Sequence, residues 1–402
     1  MVRDSSAALL LKGYAWLPDA RRHSPDGVVE TRLTGRPAFG ISGPAAARFF
    51  YDERHVRRAG AIPGFVQSTL FGHGAVHTLD GLAHRHRKAM FLALFTTDRI
   101  ADLVGHTGAA WDAAALGWRG RPISLFESSA RVLAEGVARW VGLPPDDAIG
   151  PDCVAMVDGF ATAGPRHWRA RIARRRQESR LADGIAELRS VGRPAEPSGT
   201  AVEVVAHHRD DDGRLLTPRT AAVELLNVVR PTIAVSWFVA FSAHALHRWP
   251  EHRDRLRAGG PAFAEAFAHE VRRFYPFAPF VGGLAPDDVE FAGHRIPRGA
   301  MVLLDLYGQN HDPALWKDPY WFDPDRFLGP DAAPDPYTLV PQGGGDPATG
   351  HRCPGEPNTV ALLSDLAVRL ARLEYDVPPQ NLDIPLDRIP TRPRDGMLVS
   401  CR

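Results

Sequence analysis

The 402-residue sequence predicts a mostly helical fold with a minor strand component. Three observations carry that reading. Helical patterning dominates from Asp98 to about Val191 and returns over Thr217 to about His247 and Pro261 to Tyr275. Strand-like stretches are short, lying near the N-terminus, around 289–304 and in the tail. The composition, 44% hydrophobic and 24% charged, is that of a globular chain able to bury a large core.

Taken in order, Val28 to Leu33 reads as a strand and Pro37 to Ile41 as its hairpin partner. Gly43 to Tyr51 is a short helix, and spacing alone makes Arg57 and Arg58 a solvated pair. The loop Phe71 to Asp80 holds two glycines and two histidines, His73 and His77. Asp80 is placed to N-cap a helix over Gly81 to Phe95. On that helix His84 and Lys88 are four apart and share a face, which suits either solvent or an anion. Arg169 to Arg176 is strongly basic, a surface feature or the mouth of an acid-binding channel. Gly192 to Thr200 reads as a loop.

Thr217-Pro218 opens the longest helix, with Thr as N-cap and Pro at the first position. Its middle is apolar nearly all round, so it is expected to be buried. Pro231 lacks an N–H and should kink it at the carbonyl of Asn227. Arg230 sets a permanent cation in the apolar run, which is costly unless an anion meets it. Glu224 is one candidate anion, although the i, i+6 spacing puts it off the Arg230 face. On the next helix Glu270 and Arg273 can pair. Strands around Val289 to Phe291 and Met301 to Leu304, a helix over Asn358 to Leu373 and a hairpin-like tail over Leu382 to Cys401 complete the pattern.

Net charge is +1, which gives no overall bias toward nucleic acid or membrane. The three cysteines are widely spaced and odd in number, so no disulfide framework is expected and a reducing compartment fits. No stretch reaches the roughly 18 apolar residues of a membrane span. Ala7 to Leu11 is too short for a signal-peptide core. A cytoplasmic location is therefore expected.

Pro341 to Glu356 contains five glycines and Cys353, held between Arg352 and Pro354 just before the last helical pattern. A thiol there is expected to have a depressed pKa and to ligate a metal. A buried, inert Cys is the competing reading. The run Gly350-His351-Arg352-Cys353-Pro354-Gly355 resembles the haem-binding loop of the cytochrome P-450 superfamily. Glu270-x-x-Arg273 and the Phe322 to Phe327 segment with Arg326 precede it, in the family's order. The resemblance implies a mainly α fold with a small β lobe, and one haem-thiolate domain over residues 1–402. It places haem b between the long distal helix and the Cys loop, with Cys353 as the iron ligand.

A closer resemblance, to the bacterial fatty-acid peroxygenase branch, covers nearly the whole chain. It rests on Ala75 to Gly81, Leu226 to Pro231, Glu270 to Phe277, Leu304 to Gly308 and Pro341 to Glu356. Oxygen-activating relatives carry an acid–alcohol pair where this chain has Arg230-Pro231. That branch shares the replacement, and its Arg is understood to grip the substrate carboxylate. The resemblance implies Arg58, His84, Lys88 and His351 as contacts to haem propionates. It implies Phe71, Phe277 and Phe280 as channel residues, with core packing the other account of each. It places His77 over the haem, a position commonly His in decarboxylating members and Gln in several hydroxylating ones. The implied activity is hydrogen-peroxide-dependent oxidation of fatty acids, to 2- or 3-hydroxy acids or 1-alkenes, without a dedicated redox partner. A reductase-dependent monooxygenase and a non-catalytic haem sensor are the alternatives.

Overall fold

The structure is a computed structural model that describes residues 3–192, 199–329 and 332–402. Most of the expected loop at 192–200 lies outside the described residues.

The β lobe forms from short alternating runs. Strands β1 (Val29–Leu33) and β2 (Arg36–Ile41) are antiparallel and joined by Thr34-Gly35, both at positive φ, as a tight two-residue hairpin requires. β2 runs parallel to the strand Met301–Asp305, β4, with Ala38 opposite Met301. β4 pairs antiparallel with β3, Phe280–Leu284. The sheet order is therefore β1-β2-β4-β3. Both faces of the sheet are covered: Ile41, Val302 and Leu304 are fully buried in one cluster, Ala38 and Leu303 in another.

The helical part holds the main core and carries the site. Its relevant helices are α1 (Gly81–Leu94), α2 (Ile149–Gly159), α3 (Pro165–Ser190), α4 (Pro218–Ile233), α5 (Val235–Arg248), α6 (Gly260–Phe274) and α7 (Glu356–Arg372). Thr217 Oγ1 accepts from Thr220 N at 3.1 Å, the expected N-cap. The long helix is interrupted at Ala234, three residues beyond Pro231, where α4 gives way to α5. The ladder resumes directly after the proline, with Ala234 N donating to Arg230 O at 3.0 Å. Pro218–Arg248 is the one described stretch long and apolar enough to cross a membrane, and 94% of its most apolar 18-residue window is buried inside the fold.

The tail departs from expectation. Only Leu398–Cys401 is a strand there, and it pairs with Tyr375–Asp376 and Pro122–Ser124 rather than within the segment. Three prolines, Pro385, Pro390 and Pro393, remove donors a hairpin would need.

Behind the Cys353 loop, Arg273 donates to both oxygens of Glu270, at 2.6 and 2.7 Å, and both side chains are fully buried. Arg273 also donates to the carbonyls of Asn310 and Pro319, and Asp323 N donates to Glu270. Arg326 Nε stands 3.6 Å from the same carboxylate. Removing one member leaves the other charge buried without its counter-ion. Glu270→Ala is expected to cost about 3–5 kcal/mol, read from the denaturant midpoint.

Burial holds His244, His269 and His311 each down to about 4. As pH falls below 6.5 the unfolded chain takes up these protons before the folded one does. Stability is therefore lost toward pH 4, at about 1.4 kcal/mol per pH unit per histidine. Asp305, raised to about 6 by burial, acts in the opposite sense over part of that window. The histidines outnumber it, so the denaturant midpoint of the apoprotein is expected to be lower at pH 4.5 than at pH 6.5.

Candidate active site

Cys353 sits one turn before α7, in a loop bent by glycine. Gly343 has φ of 96°, and a Cβ there would lie 2.4 Å from Tyr51 Oη. Cys353 N donates to Gln342 O at 3.1 Å, while Gln342 Nε2 reaches the sulfur at 3.8 Å and Thr359 Oγ1 at 3.1 Å. Arg272, on α6, holds that glutamine at 2.9 Å and pairs with Glu356. The expected depression of the thiol is reversed. Burial pushes the Cys353 pKa up, and this outweighs the Gly355 N–H, Lys88 and Gln342. Arg352 is committed elsewhere, donating to Glu356 at 2.6 Å and to Gly345 O. A coordinating metal deprotonates such a thiol outright.

Basic side chains converge beside this loop from distant parts of the chain. Lys88 is 2% exposed and donates to the carbonyls of Gly350 and Arg352, and burial lowers its pKa to about 8. His84 stacks on His351 with ring centroids 3.8 Å apart, and burial lowers its pKa to about 3. Arg57 is exposed, but Arg58 is buried with its guanidinium 4.1 Å over the Phe50 ring, so spacing misread half of the pair. Asp80 stands at the N-cap position without capping. Its carboxylate accepts from Arg58 N and Ala59 N, both at 2.8 Å, and lies 3.4 Å from His351.

This cluster fits a dianionic group seated against the Cys loop. The ring nitrogen His84 Nδ1 is buried without a hydrogen-bond partner, and His351 Nε2 meets carboxylates only at 3.4 Å from Asp80 and 3.6 Å from Glu53. The Arg58 and Lys88 charges are buried at a cost that the nearby carboxylates Asp80, Glu53 and Asp346 do not offset. Two propionates would supply the missing acceptors. The residues present therefore fit the haem implied by the sequence, with Cys353 as ligand.

On α4, Pro231 is exposed although every other residue from 221 to 243 is buried, so the helix is left uncovered at that point. Arg230 is 6% exposed. Its Nη2 donates to Asn227 Oδ1 at 3.2 Å, its Nε has no partner, and its guanidinium lies 5.9 Å from the Phe71 ring centre. Burial and the nearby Arg174 lower its pKa to about 9. Glu224 is not its counter-ion. That carboxylate accepts from Arg87 and from Val76 N, both at 2.8 Å, and no carboxylate pairs with Arg230 among the described residues. The His77 ring lies against Phe71, centroids 4.4 Å apart and planes tilted by 40°. Burial and the Arg230 charge hold His77 well below its ordinary pKa, so its ring is neutral near pH 7.

Phe71 and Phe277 pack against the main core, Phe277 at 5.1 Å from Phe238. Phe280 lies apart, edge-on to Trp16 within the β lobe. The basic stretch on α3 is split: Arg169, Arg175 and Arg176 are exposed, while Arg174 is buried, bonding Glu178 and Leu70 O. Sequence reasoning missed Arg87, Asn227, Gln342 and Arg272, which hold the loops carrying His77 and Cys353. Their partners are distant in sequence, so no local spacing could have pointed to them.

The cytochrome P450 family model matches residues 262–357. Over its whole length the chain is similar to a variant of cytochrome P450 OleT solved in complex with arachidonic acid. The TM-score is 0.95 at 35% identity, covering 100% of this chain and 98% of that one. A variant of cytochrome P450SP alpha (CYP152B1) gives a TM-score of 0.93 at 39% identity, covering 99% and 98%. Cytochrome P450EX alpha (CYP152N1) with myristic acid gives 0.93 at 35%, covering 100% and 98%. Among curated sequences, a putative cytochrome P450 135B1 of Mycobacterium bovis is 26% identical over 346 residues, 78% of this chain and 71% of the relative. A likeness that runs the full length of both chains, with a thiol and an anion cradle where a haem would need them, carries one conclusion: the chain belongs to the cytochrome P450 family.

Proposed function

We propose that this protein is a haem-thiolate peroxygenase that uses hydrogen peroxide to oxidise fatty acids next to the carboxylate. The single observation that carries the reading is Arg230, a buried guanidinium with a free Nε and no carboxylate partner among the described residues. It sits beside Pro231, where the helix is left uncovered. Two of the solved relatives named above, the OleT variant and P450EX alpha, hold arachidonic and myristic acid, molecules with one carboxylate and a long apolar tail.

Haem bound through Cys353 supplies the oxidising chemistry. The chain's own residues do the rest. Arg58, His84, Lys88 and His351 would hold the haem propionates. Arg230 grips the substrate carboxylate by a two-pronged, charge-assisted bond. Residues 226–235 contain no Asp or Glu, so the gripped carboxylate takes the acid–base role. It accepts a proton from one peroxide oxygen and returns it to the other. Phe71 and Phe277 line the path of the acyl chain. With its pocket end fixed, the α and β carbons are presented for reaction. Hydroxylation releases one water; decarboxylation releases carbon dioxide and two waters with the 1-alkene. His77, neutral and beside Phe71, favours the alkene. Hydrogen peroxide is already two electrons more reduced than dioxygen, so a dedicated redox partner is unnecessary, and we place the reaction in the cytoplasm.

The test combines the haem-loaded protein with myristic acid and hydrogen peroxide, omits any reductase, and separates products by gas chromatography and mass spectrometry. Hydroxy acids or terminal alkene are expected. Turnover only with a reductase system would overturn the peroxygenase reading in favour of an ordinary monooxygenase.

A further inference from the structure

The outer face of α3 carries apolar side chains that the fold leaves uncovered. Trp168 is 58% exposed, Ile172 is 61% exposed, and both lie on one stripe four residues apart. Phe65, 53% exposed, continues the patch, its ring 6.5 Å from that of His167, which lies 6.1 Å from Trp168. Trp168, Ile172, Pro165 and Ala173 line a shallow surface groove.

Cations rim this patch. Arg169, Arg171 and Arg175 form no ion pair among the described residues, and the Arg171 guanidinium rests 5.0 Å over the Trp168 ring. The acids on neighbouring α2 are already engaged, Asp152 by Arg176 and Asp158 by Arg166 and Arg388. Nor do these arginines serve the helix. The first turn of α3 contains no acid, so Arg166 and Arg169 oppose its dipole. Unpaired arginines around exposed Trp and Ile match a surface that is anionic outside and apolar beneath.

We propose that this face docks on an anionic lipid bilayer. The benefit of such docking rests on the fatty-acid reading: the substrate partitions into bilayers. Phe65 lies at the outer end of Gly64–Phe71, whose inner end, Phe71, lies beside Arg230. Docking would bring the bilayer to the segment that borders the pocket.

The test is co-sedimentation of the haem-loaded full chain with vesicles, without substrate or peroxide. One set contains equal parts phosphatidylglycerol and phosphatidylcholine, the other phosphatidylcholine alone. Binding at low salt to the anionic set only is expected. Arg169→Glu with Arg175→Glu should weaken it at least about 25-fold, about fivefold per arginine. Trp168→Ser with Ile172→Ser should also weaken it several-fold, while turnover of a short, soluble acid is unchanged. Absence of binding overturns the proposal. So does anionic binding that the Trp168→Ser and Ile172→Ser change leaves intact, since the apolar face would then play no part. Equal binding to soluble polyglutamate would reassign the patch to an acidic protein. Because the vesicle assay contains no substrate, it can fail while fatty-acid oxidation stands, and the reverse.

Discussion

Arg230→Ala is expected to lower peroxide-driven kcat/KM on a long-chain fatty acid by about 10²–10⁴-fold. That is the range for a lost general acid–base group, and here the variant loses the group by losing its anchor. A guanidinium buried to 6% exposure has been desolvated, and a carboxylate arriving there recovers that cost. With alanine the carboxylate has no reason to enter, and the proton path goes with it. Arg230→Lys is expected to recover only part of the activity, since an ammonium keeps the charge and lacks the fork. Spectral titration with myristic acid separates binding from chemistry. Both variants should keep the haem spectrum of the parent, because Arg230 does not touch the Cys353 loop. Parental turnover in Arg230→Ala would overturn substrate-assisted catalysis.

Cys353→Ser is the second large effect. The sulfur lies where the loop backbone is pinned by Gln342 and braced through Arg272 and Glu356, so the exchange of one atom should leave the fold in place. The carbon monoxide complex of the reduced protein is expected to lose its thiolate-type absorption, and peroxygenase turnover should fall to background. A serine hydroxyl is a far weaker donor than a thiolate and lacks its electron push toward O–O cleavage. Retention of the thiolate-type band would overturn the assignment of the ligand.

The order of helices, the hairpin at 29–41, the Thr217 cap and the Glu270–Arg273 pair were legible because each depends on residues close in sequence. The Cys353 loop was legible because its spacing is rare. The Cys353 pKa was not. Sequence shows a helix start and a neighbouring arginine, both of which depress a thiol, but burial is a property of the packed fold, and here it prevails. Asp80 was misread for a related reason. A local cap competes with every other donor, and the backbone of Arg58 and Ala59 reaches it first.

The sequence by itself determined most of the secondary structure outside the tail, the candidate ligand sulfur and the presence of an arginine where, by the resemblance, an acid–alcohol pair would serve oxygen activation. Only the tertiary structure decided that Arg230 goes unpaired. Glu224 is drawn to Arg87, 137 residues away, and to the backbone at Val76, so the buried cation is left for an anion from outside. Which of two buried arginines a carboxylate meets is set by packing in three dimensions, and no spacing along the chain encodes it.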